Sequence, residues 1–118
     1  LRPARPALPM IVLETDFEKV IIDSAHLRGW RILQVRKARQ MKKGMEVYRT
    51  PFGADGEGWP DLFLVNEEKE KVLALEVKRE GGKATKKQVE WLRILRACGI
   101  AAYVVYPSSW EKIERWLE

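Results

Sequence analysis

The sequence predicts a mixed α/β domain, helices flanking a central sheet in the order αβββαβα, and three observations carry that prediction. Two T-x-x-E/Q capping boxes, Thr15 to Glu18 and Thr85 to Gln88, each open a stretch with helical spacing. Two apolar runs, Asp61 to Asn66 and Lys71 to Lys78, are joined by a short polar turn and read as a hairpin. A further apolar run, Ile100 to Tyr106, follows the second helix. It can therefore pair in parallel through a crossover, which hairpin strands cannot do with each other.

Each element follows from local chemistry. After the Pro-rich lead-in (residues 1–14), Phe17, Val20, Ile21 and Ser24 recur at helical spacing until Gly29 ends the pattern. Arg31 to Arg36 has strand character, and Met45 to Arg49 suggests a short second strand beyond a basic loop. The segment TPFGADGEGWP holds three glycines and two prolines and must be a loop. Its glycines leave room for a phosphate backbone to approach. Gly81-Gly82 closes the hairpin, the second helix runs through Cys98 to Gly99, and Ser108 to Glu118 forms a last helix. Residues 15–118 are expected to form one domain, because 118 residues with 46% hydrophobic side chains can bury a single core.

Composition narrows the chemistry. The one cysteine, Cys98, and the one histidine, His26, exclude disulfides, Cys-rich zinc clusters and His-based triads. Carboxylates, lysine and hydroxyls remain. Cys98 is expected to be a small buried apolar residue and His26 a surface residue. No apolar run reaches the roughly 18 residues of a membrane span, so a cytoplasmic protein is expected; a bacterial, archaeal or phage source is expected separately. Net charge is +5, from 22 basic and 17 acidic residues. Between Arg28 and Lys43 there are seven basic residues and no acid. Such a block suits a polyanion or is simply a solvated face.

The hairpin carries the sharpest signal. A register that pairs Asn66 with Lys71 also sets Asp61 opposite Glu76, with Cβ atoms about 5 Å apart. Strand alternation puts Lys78 on the same sheet face as Glu76 and turns Val77 to the other. Two carboxylates and a backbone carbonyl are hard oxygen donors of the kind that hold Mg2+ or Mn2+. A lysine beside them can position a water for attack on a phosphate. A simple ion pair of Lys78 with Glu76 or Asp61 on an exposed strand is the competing reading. The flanking VLALEV opposes it, because burying charges without partners is costly.

At these residues the chain resembles the VRR-NUC (virus-type replication-repair nuclease) family of the PD-(D/E)xK nuclease superfamily. The likeness rests on Gly58-Trp59-Pro60-Asp61 before an apolar strand, Glu76-Val77-Lys78 in the next, and Gln88 in a helix followed by Gly99 and AAYVVY. It implies a restriction-endonuclease-like αβββαβ core with a C-terminal helix added. It also implies that Asp61, Glu76 and the Val77 carbonyl bind a divalent metal, Mg2+ with Mn2+ able to substitute, and that Lys78 is catalytic. Glu18 matches the family's first-helix acid at the metal site, and Gln88 its helix glutamine beside the catalytic group. Each of these two is also the third position of a capping box.

The resemblance further implies cleavage of DNA, in small stand-alone members as a homodimer acting on branched substrates in the manner of a Holliday-junction resolvase, in repair or recombination. A less selective nuclease or nickase, a restriction-type enzyme, and a catalytically silent DNA-binding module are the alternatives. For DNA contact the sequence offers Arg36, Lys37, Arg39, Lys42 and Lys43 in the basic loop. Lys83, Lys86 and Lys87 lie past the catalytic strand. Phosphate contacts of this kind give affinity without base readout. Trp59, in the Gly-rich loop, is placed either to stack on a base or to pack against the sheet. Trp91 is expected in the core, and one of Trp110 and Trp116 on the last helix is expected to be exposed.

Overall fold

The computed structural model describes residues 13–35, 38–42, 44–49 and 52–118, the two segments 38–42 and 45–49 as backbone only. Its elements are α1 (Glu14–Leu27), β1 (Arg31–Gln34), β2 (Ala38–Lys42), β3 (Met45–Arg49), β4 (Leu62–Asn66), β5 (Lys71–Val77), α2 (Lys86–Ala97), β6 (Ala101–Val105) and α3 (Trp110–Leu117). A mixed sheet has the order β1-β4-β5-β6, antiparallel except for the parallel β5/β6 pair that the α2 crossover allows. Without β2 and β3 the order is the expected αβββαβα. Those two strands form their own antiparallel hairpin between β1 and β4.

That hairpin corrects the expected basic loop: Ala38–Lys42 is a strand, with Lys42 paired to Met45 and Gly44 turning between them at φ +74°. The strand expected over Arg31 to Arg36 also ends earlier, at Gln34. Arg36, Lys37 and Lys43 lie outside the described residues, and Arg39 and Lys42 fall within β2.

The two faces of the sheet are covered by different helices. Leu62 and Leu64 of β4, with Leu73, Leu75 and Val77 of β5, pack against Phe17, Ile21 and Ala25 of α1 and Ile113 and Leu117 of α3. Ala74 and Ala102, on the other face, pack against Leu92 and Leu95 of α2. Buried apolar side chains of this size contribute about 1.5–3 kcal/mol each, so the first cluster dominates the stability of the fold. Trp30 donates its indole N–H to the Leu117 carbonyl at 2.8 Å, and the Lys69 ammonium donates to the same oxygen at 2.8 Å. Together they tie the end of α3 to the sheet.

Local chemistry departs from expectation at several points. Helix α1 starts at Glu14 with Leu13 as its cap and no side-chain cap bond, so Thr15 does not form the expected capping box with Glu18. Burial of Phe17, Ile21 and Ala25 holds this helix instead of capping. The second box is present: Thr85 Oγ1 accepts the Gln88 N–H and Gln88 Oε1 accepts the Thr85 N–H. A short 3-10 turn, Pro107–Ser109, precedes α3, which begins at Trp110 instead of Ser108. Cys98, expected to be buried, is exposed at the C-cap of α2. Trp110 and Trp116 are both half-buried against the main core, Trp110 edge-on to Phe17 and Trp116 stacked on Tyr103 at 5.1 Å. A partner on the sheet thus covers the helix position expected to be exposed.

Candidate active site

Register builds the site. Residues Leu62 to Asn66 pair with Leu75 to Lys71 in the anticipated alignment, so Asp61, one step before β4, falls opposite Glu76. Glu76 in turn lies beside Val104 of β6. Alternation places Asp61, Glu76 and Lys78 on the α2 face, at the end of the sheet where β4 begins and β5 ends.

Asp61 is fixed from two sides. Its Oδ2 accepts the Val77 N–H at 2.8 Å, and its carbonyl accepts the Val35 N–H at 2.9 Å. In a strand the N–H and C=O of one residue point to the same side, so the Val77 carbonyl also faces the β4 edge where Asp61 stands. The Asp61 carboxyl also acts directly on the Glu76 carboxyl opposite it.

Glu76 is fully buried, and neither of its carboxyl oxygens has a hydrogen bond. The Lys78 ammonium lies 3.1 Å from Oε1, an ion-pair distance, but off the line a hydrogen bond requires. Burial, with the negative field of Asp61 added and only part offset by Lys78, pushes the Glu76 carboxyl up to about 8. An orphaned buried carboxylate beside a second acid is costly in isolation. Buried oxygens of this kind, a pinned aspartate facing them and a carbonyl on the same edge are the donor set of a hard divalent cation, so the residues present fit Mg2+ or Mn2+.

Glu18 does not join this pair. It sits on α1, which covers the opposite face of the sheet, and its Oε1 accepts the Gln34 side-chain N–H at 3.0 Å. Among the described residues no three His, Cys, Asp or Glu side chains are gathered as a metal-binding group. With the capping box absent, however, Glu18 has no role at the helix start. Gln34, at the end of β1 and next to Val35, links Glu18 to the strand that holds Asp61. Sequence reasoning missed it. The only available signal was an amide inside the apolar stretch RILQV.

The loop before Asp61 is filled by protein. Trp59 packs on Phe63 (ring centroids 5.6 Å apart) and meets Trp91 edge-on at 5.0 Å, and Trp91 donates its indole N–H to the Asp55 carbonyl at 3.0 Å. Of the two placements for Trp59, packing is the one observed, and Trp91 is half-buried in the same cluster. Gly58 is buried at φ +93°, and a Cβ there would come within 2.6 Å of the Lys87 backbone. The start of α2 therefore occupies the room that the sequence reserved for a phosphate. Lys87 pairs with Glu57 of the same loop. Lys83 and Lys86 are exposed. Gln88 lies half-buried in the first turn of α2, its carbonyl oxygen engaged by Thr85.

The sequence model of the VRR-NUC domain family matches residues 13–109, which span every site residue named above. No curated protein and no solved structure gives a significant match. Among the described residues no helix is long and apolar enough to cross a membrane.

Proposed function

Because the chain belongs to the VRR-NUC domain family, and so is a nuclease of the PD-(D/E)xK type, we propose that it is a Mg2+-dependent endodeoxyribonuclease that cuts branched DNA as a homodimer. The observation that carries the metal dependence is Glu76: a fully buried carboxylate without a hydrogen bond, set opposite Asp61 and within 3.1 Å of Lys78. Nuclease domains of this type generally use divalent metals.

Asp61, Glu76 and the Val77 carbonyl are the residues that would hold the ion. Bound there, it supplies Lewis-acid stabilisation of the charge that develops on the phosphate. Asp61 is held by the Val77 N–H, so its position costs little reorganisation when the ion arrives. Lys78 orients the attacking water through Nζ and faces the negative charge of the phosphate. Glu18, held by Gln34, approaches from the α1 side and acts through a water. Phosphodiester hydrolysis follows, with the P–O bond to the leaving sugar oxygen broken as the water oxygen adds.

Selectivity for branched DNA and dimerisation draw their support from the family resemblance and from a symmetry argument. A junction needs two cuts related by symmetry, and a two-fold dimer presents two sites. The test is incubation of the purified protein with Mg2+ or Mn2+ and linear, flapped and four-way DNA, with light scattering of the same sample. Paired symmetric nicks in the four-way substrate and a dimeric mass are expected. Equal cutting of linear duplex, or a monomer at micromolar concentration, would overturn the resolvase reading and leave a less selective nuclease.

A further inference from the structure

Immediately after Lys78 the chain makes a tight turn, Arg79 to Gly82, closed by the Gly82 N–H on the Arg79 carbonyl at 2.9 Å, with Gly81 at φ +78°. The turn folds back against Lys78: a Cβ on Gly82 would lie 3.5 Å from the Lys78 Cβ. Two acids stand next to this segment, and both are engaged by backbone amides. Glu14 Oε1 accepts the Arg79 N–H at 3.2 Å, and Glu80 Oε1 accepts the Ser108 N–H ahead of α3, where a negative charge is favoured by the helix.

The cations of the same segment are therefore left without acids. Arg79, Lys83 and Lys86 are exposed, and their side chains have no hydrogen bond or ion pair among the described residues. Three other exposed cations of the described residues are neutralised: Lys19 by Asp23, Lys87 by Glu57 and Arg93 by Glu90. Arg31, Lys71, Lys112 and Arg115, also without partners, are spread over β1, the far end of β5, and α3. Among the described residues, the segment that follows Lys78 gathers three such cations directly after the candidate catalytic strand.

We propose that Arg79, Lys83 and Lys86 form a phosphate-binding lip that grips the DNA strand next to the metal site. The proposal rests on the nuclease reading and deepens it, by naming the surface that holds the strand about to be cut. The lip is held in place by Glu14 and Glu80 acting on the backbone, so its cations stay available to phosphates. Nothing local selects Arg79, because a lone Arg after E-x-K is indistinguishable from any surface arginine. Lys87 is excluded from the lip by its ion pair with Glu57. Contacts of this class add affinity and salt dependence without reading base sequence.

The experiment is fluorescence anisotropy of a labelled duplex in EDTA across a salt series, for the wild-type chain and for Arg79→Ala, Lys83→Ala, Lys86→Ala and Arg93→Ala. Mg2+-dependent cleavage of the same DNA by the wild type is measured alongside. Each lip variant is expected to flatten the dependence of log K on log salt by about 0.9. Arg93→Ala, on the far side of an existing ion pair, is expected to leave it unchanged. A wild-type slope in Arg79→Ala, from a protein that itself binds and cleaves, overturns the lip while leaving the nuclease reading intact. A wild-type chain that neither binds nor cleaves DNA overturns the nuclease reading, and the lip with it.

Discussion

Asp61 Oδ2 accepts the backbone N–H of Val77 at 2.8 Å, and this single bond joins the acid that precedes one strand to the residue between Glu76 and Lys78 on the next. It continues the β4/β5 ladder by one step with a side chain in place of a backbone carbonyl. The strand register and the position of the site are therefore the same fact.

Replacing Asp61 separates the two roles of that bond. Asp61→Asn keeps an acceptor for the Val77 N–H and removes the charge. Cleavage is expected to be lost with thermal stability little changed. Asp61→Ala leaves the N–H without its partner and should cost a further 1–3 kcal/mol, roughly. Cleavage by the Asn variant at the wild-type rate would remove Asp61 from the metal site.

Glu76 predicts the pH dependence of the metal-free protein. Its folded value, about 8, lies above its ordinary value of 4.5, so the fold is favoured with the proton on. That contribution is fully present below pH 4.5 and is lost as pH rises through 8. Without metal, Tm should fall across this window. Glu76→Gln should flatten the fall and stand about 5–10 °C higher at pH 8, while abolishing cleavage. Added Mg2+ should raise the wild-type Tm at pH 8 and leave the variant unmoved. Parallel pH profiles in chelator for the two proteins would refute the assignment.

Gly58 and Gly53 make a matched pair in one loop. A Cβ at Gly58 meets the Lys87 backbone at 2.6 Å on a residue already at φ +93°, whereas one at Gly53 meets nothing within 4 Å. Gly58→Ala is expected to destabilise by about 2–3 kcal/mol. Gly53→Ala should stay within about 0.5 kcal/mol. Chemical denaturation measures both, and equal losses would mean that Gly58 does not seat the loop on α2.

Gln88 acts through the start of α2, because its carbonyl oxygen is held by the Thr85 N–H at 2.8 Å. Gln88→Glu retains the acceptor and should retain both stability and cleavage. Gln88→Ala should lose about 1 kcal/mol of stability. If the Glu variant stays folded to the same temperature but stops cutting DNA, Gln88 touches the reacting groups directly.

The αβββαβ order, the hairpin register and the meeting of Asp61 with Glu76 were all legible in the sequence, because period-2 alternation and a short turn leave one alignment that buries the apolar face. The second capping box was legible for the same local reason. The first was not a cap at all: Thr15 and Glu18 have the right spacing, but burial of Phe17, Ile21 and Ala25 sets where α1 begins. The basic stretch concealed β2, because its polar residues lack the alternation that marks a half-buried strand.

Residue identity and spacing by themselves determined the family, the order of elements along the chain and the pair of carboxylates on one face, since these depend on contacts within a hairpin and a crossover. Tertiary packing decided the rest. It brought α2 against Gly58 and so closed the space the glycines seemed to leave open. It paired Lys87 with Glu57 and drew Glu14 and Glu80 onto backbone amides, leaving Arg79 uncompensated beside Lys78. Which charges are neutralised depends on neighbours 28 to 65 residues away in the chain, and no local pattern encodes that.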